Sequence, residues 1–403
     1  MATLSEPDII YSMLAPTERR MWENKKEKDT IQSHPSSQEI NDRYESGHDR
    51  FITEINREKL PNIVDNLKKD GYLNTRPFYQ RKDRWNKDQQ SKLIESFLIN
   101  VPIPPIILYE VKYNSYEVID GQQRITAISD FYNNKLKLTG LEIWTELNGF
   151  YYKDLPYKIK DGIDRRSLSS IVLITESAPN PETAMFLRQV AFERINTGGI
   201  SLSKQEVRNC LYTGEFNDLL FELSKNQIFA NAWRIPINDE SQLKKNNLFK
   251  KMEDVELILR FFALRHYGNF SGEITGFLDL YMQKSMAFVQ DDINYLKDCF
   301  TNTINLASNI YGEHLFKPFD FKKKQWKDNS YKEYYDAMMV GCSYHLKDAS
   351  KLINLKNEVI AATKIMLSDE KNYKLFTGKG GTKAGIQKRI SLFDKMLSEV
   401  AAE

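Results

Sequence analysis

Three cysteines in 403 residues, Cys210, Cys299 and Cys342, share no CxxC spacing. That excludes a disulfide framework and a thiolate zinc site, and it fits a reducing cytoplasm. No stretch reaches the roughly 18 consecutive apolar residues a membrane helix needs. The opening residues, MATLSEPDIIYSMLAPTERR, hold no basic start followed by a long apolar run, so the chain reads as neither exported nor membrane-spanning. Charge of one sign is missing too: 57 Lys and Arg against 55 Asp and Glu leave a net charge of +2. Nothing so balanced draws in nucleic acid or anionic lipid globally, and any such contact needs a local patch. Histidine is scarce, and His34, His48, His266, His314 and His345 stand in no metal-ligand spacing. His266, in LRHYGN at an expected helix end, reads as a capping or satisfied histidine.

What is present divides the chain in three. Residues 1–50 are polar, with few apolar anchors in ENKKEKDTIQSHPSSQEINDRYESGHDR, and predict a loosely ordered or partly helical arm. From 51 to about 215 the pattern is mixed α/β. NKDQQSKLIESFLIN puts Leu93, Ile94, Phe97 and Leu98 on one stripe, with Asn86 and Gln89 at capping-box spacing, and predicts a helix over 87–99. VPIPP ends it, and PIILYEV and SYEVID follow as a strand pair about the turn KYNS. A helix to about 133, strands at KLKLTGL and SIVLITE, and a helix in PETAMFLRQVAFERI with Phe186, Leu187, Val190, Ala191 and Ile195 as its stripe come next. That helix stops at Gly198 and Gly199, and a second begins near Ser203, which has capping-box spacing to Glu206. Residues 216–403 read as all helical, with MEDVELILRFFALRHYG apolar on most of its circumference and so central.

Three constellations exceed what packing asks for. Asp120-Gly121-Gln122-Gln123-Arg124 interrupts an apolar run where a strand turns into a helix. A capping box explains Asp120 and Gln123 but leaves Gln122 and Arg124 over. A helix N-terminus after a glycine turn presents unpaired N–H groups and a positive dipole end, an anion site to which Arg124 adds a donor fork. Asp120 is the matching candidate to hold a divalent cation or a water. RPFYQRKDRW, residues 76–85, interleaves basic and aromatic side chains, either to meet a nucleotide or to anchor a surface segment. FERINTGGISLSKQE, residues 192–206, is a helical hairpin whose Arg194 and Asn196 are not needed for the turn. FTGKGGTKAG, residues 376–385, imitates a phosphate loop without its spacing or leading strand. It reads as a flexible basic loop, whose Lys379, Lys383, Lys388 and Arg389 are a solvated face or a contact for DNA or a partner.

In order and spacing the three constellations resemble the N-terminal domain of GmrSD-type modification-dependent restriction enzymes, a family related in fold to ParB and sulfiredoxin. The residues carrying the resemblance are Pro77, Tyr79, Gln80, Arg81 and Trp85, then Pro104 to Leu108, Asp120 to Arg124, and Phe192, Arg194, Ile195, Asn196, Gly199, Leu202 and Glu206. The resemblance implies an α+β chain: a ParB/sulfiredoxin-like nucleotide-binding domain at 51–215, followed by an all-α domain at 216–403. It further implies binding, and hydrolysis, of a nucleoside triphosphate with Mg²⁺ or another divalent cation. Asp120 would serve the metal or the water, Gly121, Gln122, Gln123 and Arg124 the phosphates, and Gln80, Arg81 and Asn196 the remaining nucleotide contacts. Asp120, Gln123 and Arg124 would be the catalytic residues.

The His-centred nuclease motif of the restriction enzymes is absent from the sequence. The reading is therefore a cytoplasmic sensor or regulator in a restriction or anti-phage defence system. DNA, a separate nuclease or defence subunit and a second copy of the chain are the partners considered for the helical half. Two alternatives stand beside it. One is a non-catalytic nucleotide-switched binding module. The other is a metal-dependent nuclease, disfavoured because Glu117 and Asp120, three apart on a strand, face opposite ways.

Overall fold

The computed structural model describes residues 14–22, 36–47, 50–74, 85–175, 181–195, 203–270, 272–378 and 381–402. It separates into two compact units: Ile31–Ser203, and Lys204–Glu403 together with Met1–Thr30.

The first unit is built on a five-stranded sheet in the order β1-β5-β3-β4-β2. The strands are β1 (Ile52–Lys59), β2 (Leu73–Asn74), β3 (Ile106–Lys112), β4 (Ser115–Asp120) and β5 (Ser167–Ile174). β3 and β4 form the expected antiparallel pair, with Asn114 at φ 58 in the turn. β5 lies parallel to β3, and β1 pairs antiparallel with β5 along its whole length, from Ile52↔Ile174 to Lys59↔Ser167. Helices Leu60–Asn66, Lys87–Leu98 and Gln122–Tyr132 cover one face. Their Ile63, Ile94, Ile128 and Phe131 join Ile106, Leu108, Leu168 and Val172 of the sheet in one core, which is where apolar burial stabilises the unit. The Lys87–Leu98 helix starts as the sequence predicts: the Asn86 side chain accepts from the Gln89 N–H, and Gln89 returns a bond to the Asn86 N–H.

Two expectations for this unit fail. Residues 135–141 form no strand, although Leu136, Leu138 and Leu141 are buried. Their backbone is satisfied locally: Thr139 N–H donates to Ser91 Oγ (3.0 Å), Leu141 N–H to Asn148 Oδ1 (3.1 Å), and Leu138 N–H to the Phe150 carbonyl (2.9 Å). Side chains of a neighbouring helix and loop, together with a loop carbonyl, replace a ladder. Phe186, placed on the buried stripe of helix Pro181–Ile195, is instead 60% exposed, because the stripe centres on Leu187, Arg188, Ala191 and Phe192 on the other side.

The second unit is helical. Helix Lys332–Tyr344 is buried from Tyr334 to Tyr344, and Glu253–Leu264 from Asp254 to Leu264 except at Glu256, as the largely apolar circumference of the latter predicts. Charges inside are paired. Asp336 takes Arg260 Nε at 3.0 Å and Arg389 Nη2 at 2.7 Å. Arg389 is therefore a core residue, not part of an exposed basic face, and only residues 378–382 separate helices Glu370–Thr377 and Lys383–Ala402.

The polar arm is also corrected at residues 14–22. Helix Pro16–Arg20 is seated in the helical unit, where the fully buried Glu18 bonds His266 Nε2 (2.7 Å) and the Tyr281 hydroxyl (2.7 Å) with Arg265 at 3.6 Å. His266 is the satisfied histidine expected. Helix Ser37–Ser46 buries no residue, as an arm would. Among the described residues no helix is long and apolar enough to cross a membrane.

Candidate functional site

The site forms where β4 ends and helix Gln122–Tyr132 begins. Asp120 closes the strand opposite Ile107. Gly121 then takes φ 99, and a Cβ there would lie 2.3 Å from Ile106 Cγ2 and 2.9 Å from Ile106 Cβ. Glycine is required twice over, for the left-handed backbone and for the approach to β3. The turn is thus pressed against the first residue of the neighbouring strand, which fixes where the helix starts.

The capping box drawn from Asp120 and Gln123 does not form. Gly121 is the N-cap and no side chain caps it. Gln123 Oε1 instead accepts the Trp85 N–H at 3.1 Å. This bond joins the end of the RPFYQRKDRW segment to the turn, so two of the three constellations meet in space. Asp120 Oδ2 receives Arg124 Nη2 at 2.5 Å, and Arg124 Nη1 donates to the carbonyls of Pro104 (2.5 Å) and Pro105 (3.2 Å). The guanidinium therefore clamps the proline turn before β3 to the end of β4, with 12% of its side chain exposed against 45% for Asp120. The prolines matter as carbonyl donors of lone pairs: the chain there is outside the ladder, and its oxygens are open to a side chain.

What remains uncommitted defines the chemistry. Asp120 Oδ1 and the Gln122 side chain accept or donate no hydrogen bond among the described residues. The helix bonds begin at Ile125 N–H to the Gly121 carbonyl (3.0 Å), so the first-turn N–H groups point out of the helix. A half-exposed carboxylate oxygen beside a helix N-terminus suits a divalent cation that keeps waters and phosphate oxygens as its other ligands. Among the described residues no group of three or more His, Cys, Asp or Glu forms a ready-made cage. Gln80, Arg81 and Asn196 lie outside the described residues.

On the other face of the sheet, β4 contributes Glu117, which is buried and paired with Arg188 of helix Pro181–Ile195. The Arg188 guanidinium also lies 5.2 Å over the Tyr109 ring. Glu117 and Asp120 thus have separate arginine partners. The sequence reading missed Arg188, although its place between Leu187 and Ala191 on the buried stripe is the signal, because an arginine there demands a carboxylate.

No curated protein and no solved structure matches the chain. Residues 60–213 do match a family model described as GmrSD restriction endonuclease, N-terminal domain. The matched segment runs through the Trp85 to Gln123 bond, the Gly121 turn and the Asp120 to Arg124 clamp. Residues 60–213 therefore belong to the GmrSD restriction endonuclease N-terminal domain family.

Proposed function

We propose that this chain binds a nucleoside triphosphate together with Mg²⁺ at the Asp120 to Arg124 turn, and hydrolyses it as a sensor or regulator in a DNA restriction or anti-phage system. The observation that carries the reading is the Gly121 turn: a strand delivered without a side-chain cap into a helix N-terminus, with a free carboxylate oxygen of Asp120 beside it. The domain family supports the restriction context.

In this reading the first-turn N–H groups bind phosphate oxygens, and the Gln122 amide adds a contact to the same group. Asp120 Oδ1 orients the attacking water or holds the cation. Mg²⁺, when bound, supplies charge neutralisation on the phosphates. Arg124 acts mainly by position, since its Nη groups are engaged by Asp120, Pro104 and Pro105. Gln123 holds the Trp85 end of the preceding segment, and Gln80 and Arg81 of that segment are the further nucleotide contacts of this reading.

The same engagement of Arg124 favours a second reading, the nucleotide switch, in which phosphate draws the guanidinium from the proline carbonyls and so loosens the turn before β3. Equilibrium binding of ATP, GTP, CTP and UTP, with and without Mg²⁺, tests what both readings share. Binding that needs Mg²⁺ and is lost in Asp120→Ala supports the site. Binding that is indifferent to both refutes it.

A further inference from the structure

The chain's charges nearly cancel, yet residues 317–327, KPFDFKKKQWK, hold five lysines against one aspartate. The structure folds this stretch into a tight hairpin in the helical unit. β6 (Phe319–Asp320) pairs antiparallel with β7 (Gln325–Trp326), and Phe321, Lys322, Lys323 and Lys324 make the connection, with Lys324 at φ 55. The single acid is spent internally: Asp320 accepts the Lys323 N–H at 3.1 Å and pairs with Lys327 at 2.9 Å. Lys322 reaches Glu370 at 3.5 Å. Lys317, Lys323 and Lys324 have no ion pair among the described residues.

Phe321 sits at this tip, 52% exposed, where packing gives it no role. The base beneath is fixed. Trp326 stacks on His314 with centroids 4.8 Å apart, meets Phe319 edge-on at 5.3 Å, and lies 5.8 Å under the Lys364 ammonium. Burial holds the His314 imidazole below its ordinary value, with Glu313 opposing and Lys317 and Lys364 adding smaller pushes downward.

We propose that the β6–β7 hairpin binds single-stranded nucleic acid, with phosphates on Lys317 and the Lys322 to Lys324 run and a base stacked on Phe321. Lysines recognise the backbone by releasing its counterions, without regard to sequence. An exposed ring accepts any base, because every base has a π-face, but only where the bases are not already stacked in a duplex. That favours a single strand over a double helix. One phenylalanine is a small apolar anchor for a lipid surface, where the lysines would act alone. The site is independent of the nucleotide reading for Asp120.

The test is fluorescence anisotropy of a labelled single-stranded oligonucleotide of mixed sequence with the full chain, beside its duplex and phosphatidylserine vesicles. Phe321→Ala, the double variant Lys323→Gln with Lys324→Gln, and Lys225→Gln as a charge control are compared after circular dichroism shows their folds intact. Wild type should prefer the single strand. Phe321→Ala should weaken it roughly five- to hundredfold. The double lysine variant should weaken it and reduce the salt slope by about 1.4, and Lys225→Gln should do neither. No binding by wild type, equal affinity across the variants, or preference for duplex or vesicles overturns the proposal.

Discussion

Gly121 and Glu18 show how single residues decide this molecule. Any side chain at 121 meets Ile106 and a left-handed backbone, so Gly121→Ala should destabilise the first unit by about 2–4 kcal/mol. The check is the denaturant midpoint, with the Gly121→Ala, Ile106→Ala double variant expected to lose less than the sum of the two single variants, because removing Cγ2 relieves part of the clash. Asp120→Ala has a different signature, because it frees Arg124 from a half-exposed carboxylate and leaves the proline bonds in place. It should cost under ~1 kcal/mol of stability, and a larger loss would make Asp120 chiefly structural. Glu18 lies in the other unit. Burial pushes its carboxyl up, but Arg265, His266 and Tyr281 together bring it down to about 2 from 4.5. A folded value below the unfolded one gives stability that is full above about pH 4.5 and lost as pH falls towards 2. Glu18→Gln should remove that acid dependence and cost about 3 kcal/mol at neutral pH, read as the denaturation midpoint against pH. An unchanged acid limb would contradict the pairing.

Among the elements, those with a periodic apolar face and a cap were legible: Lys87–Leu98 with Asn86 and Gln89, the β3–β4 pair, and the central Glu253–Leu264 helix. Those that depend on distant partners were not. β1 is exposed along nearly its whole length and shows no alternation, so only its pairing with β5 makes it a strand. Residues 135–141 alternate like a strand, but their N–H groups find the carbonyls of Asp130 and Phe150 and the side chains of Ser91 and Asn148 instead of a ladder, and those that follow find a side chain. Glu95 alone accepts from the N–H groups of Glu142, Ile143 and Trp144 at 3.1, 2.8 and 2.8 Å. Glu95→Ala should therefore cost about 2–3 kcal/mol and speed amide exchange at 142–144 before the rest of the unit, since three N–H groups lose a charged acceptor. Uniform exchange would show that the loop is held by its leucines. Helix Pro16–Arg20 was illegible for the same reason: its deciding contacts, Glu18 with His266 and Tyr281, span 248 and 263 positions.

At the scale of the whole molecule, a domain of the GmrSD N-terminal family is followed in the chain by a helical unit, with residues 1–30 grouped with the latter. The strand-to-helix turn at Gly121 was legible in the sequence, and its hydrogen bonds were misread. Asp120, Gly121, Gln123 and Arg124 do converge, yet Gln123 binds Trp85 rather than capping, and Arg124 grips prolines that sequence spacing could not connect to it. The central claim, that this turn hydrolyses a nucleotide, predicts phosphate release that chelation of Mg²⁺ abolishes. The most direct measurement is phosphate release from ATP, GTP, CTP and UTP with Mg²⁺, with and without DNA, for wild type, Asp120→Ala and Arg124→Ala. The account predicts turnover of at least one nucleotide by wild type, falling by roughly a hundredfold in Asp120→Ala while that variant stays folded, with Arg124→Ala also impaired. No release by wild type, even with modified DNA present, would contradict hydrolysis by this chain alone.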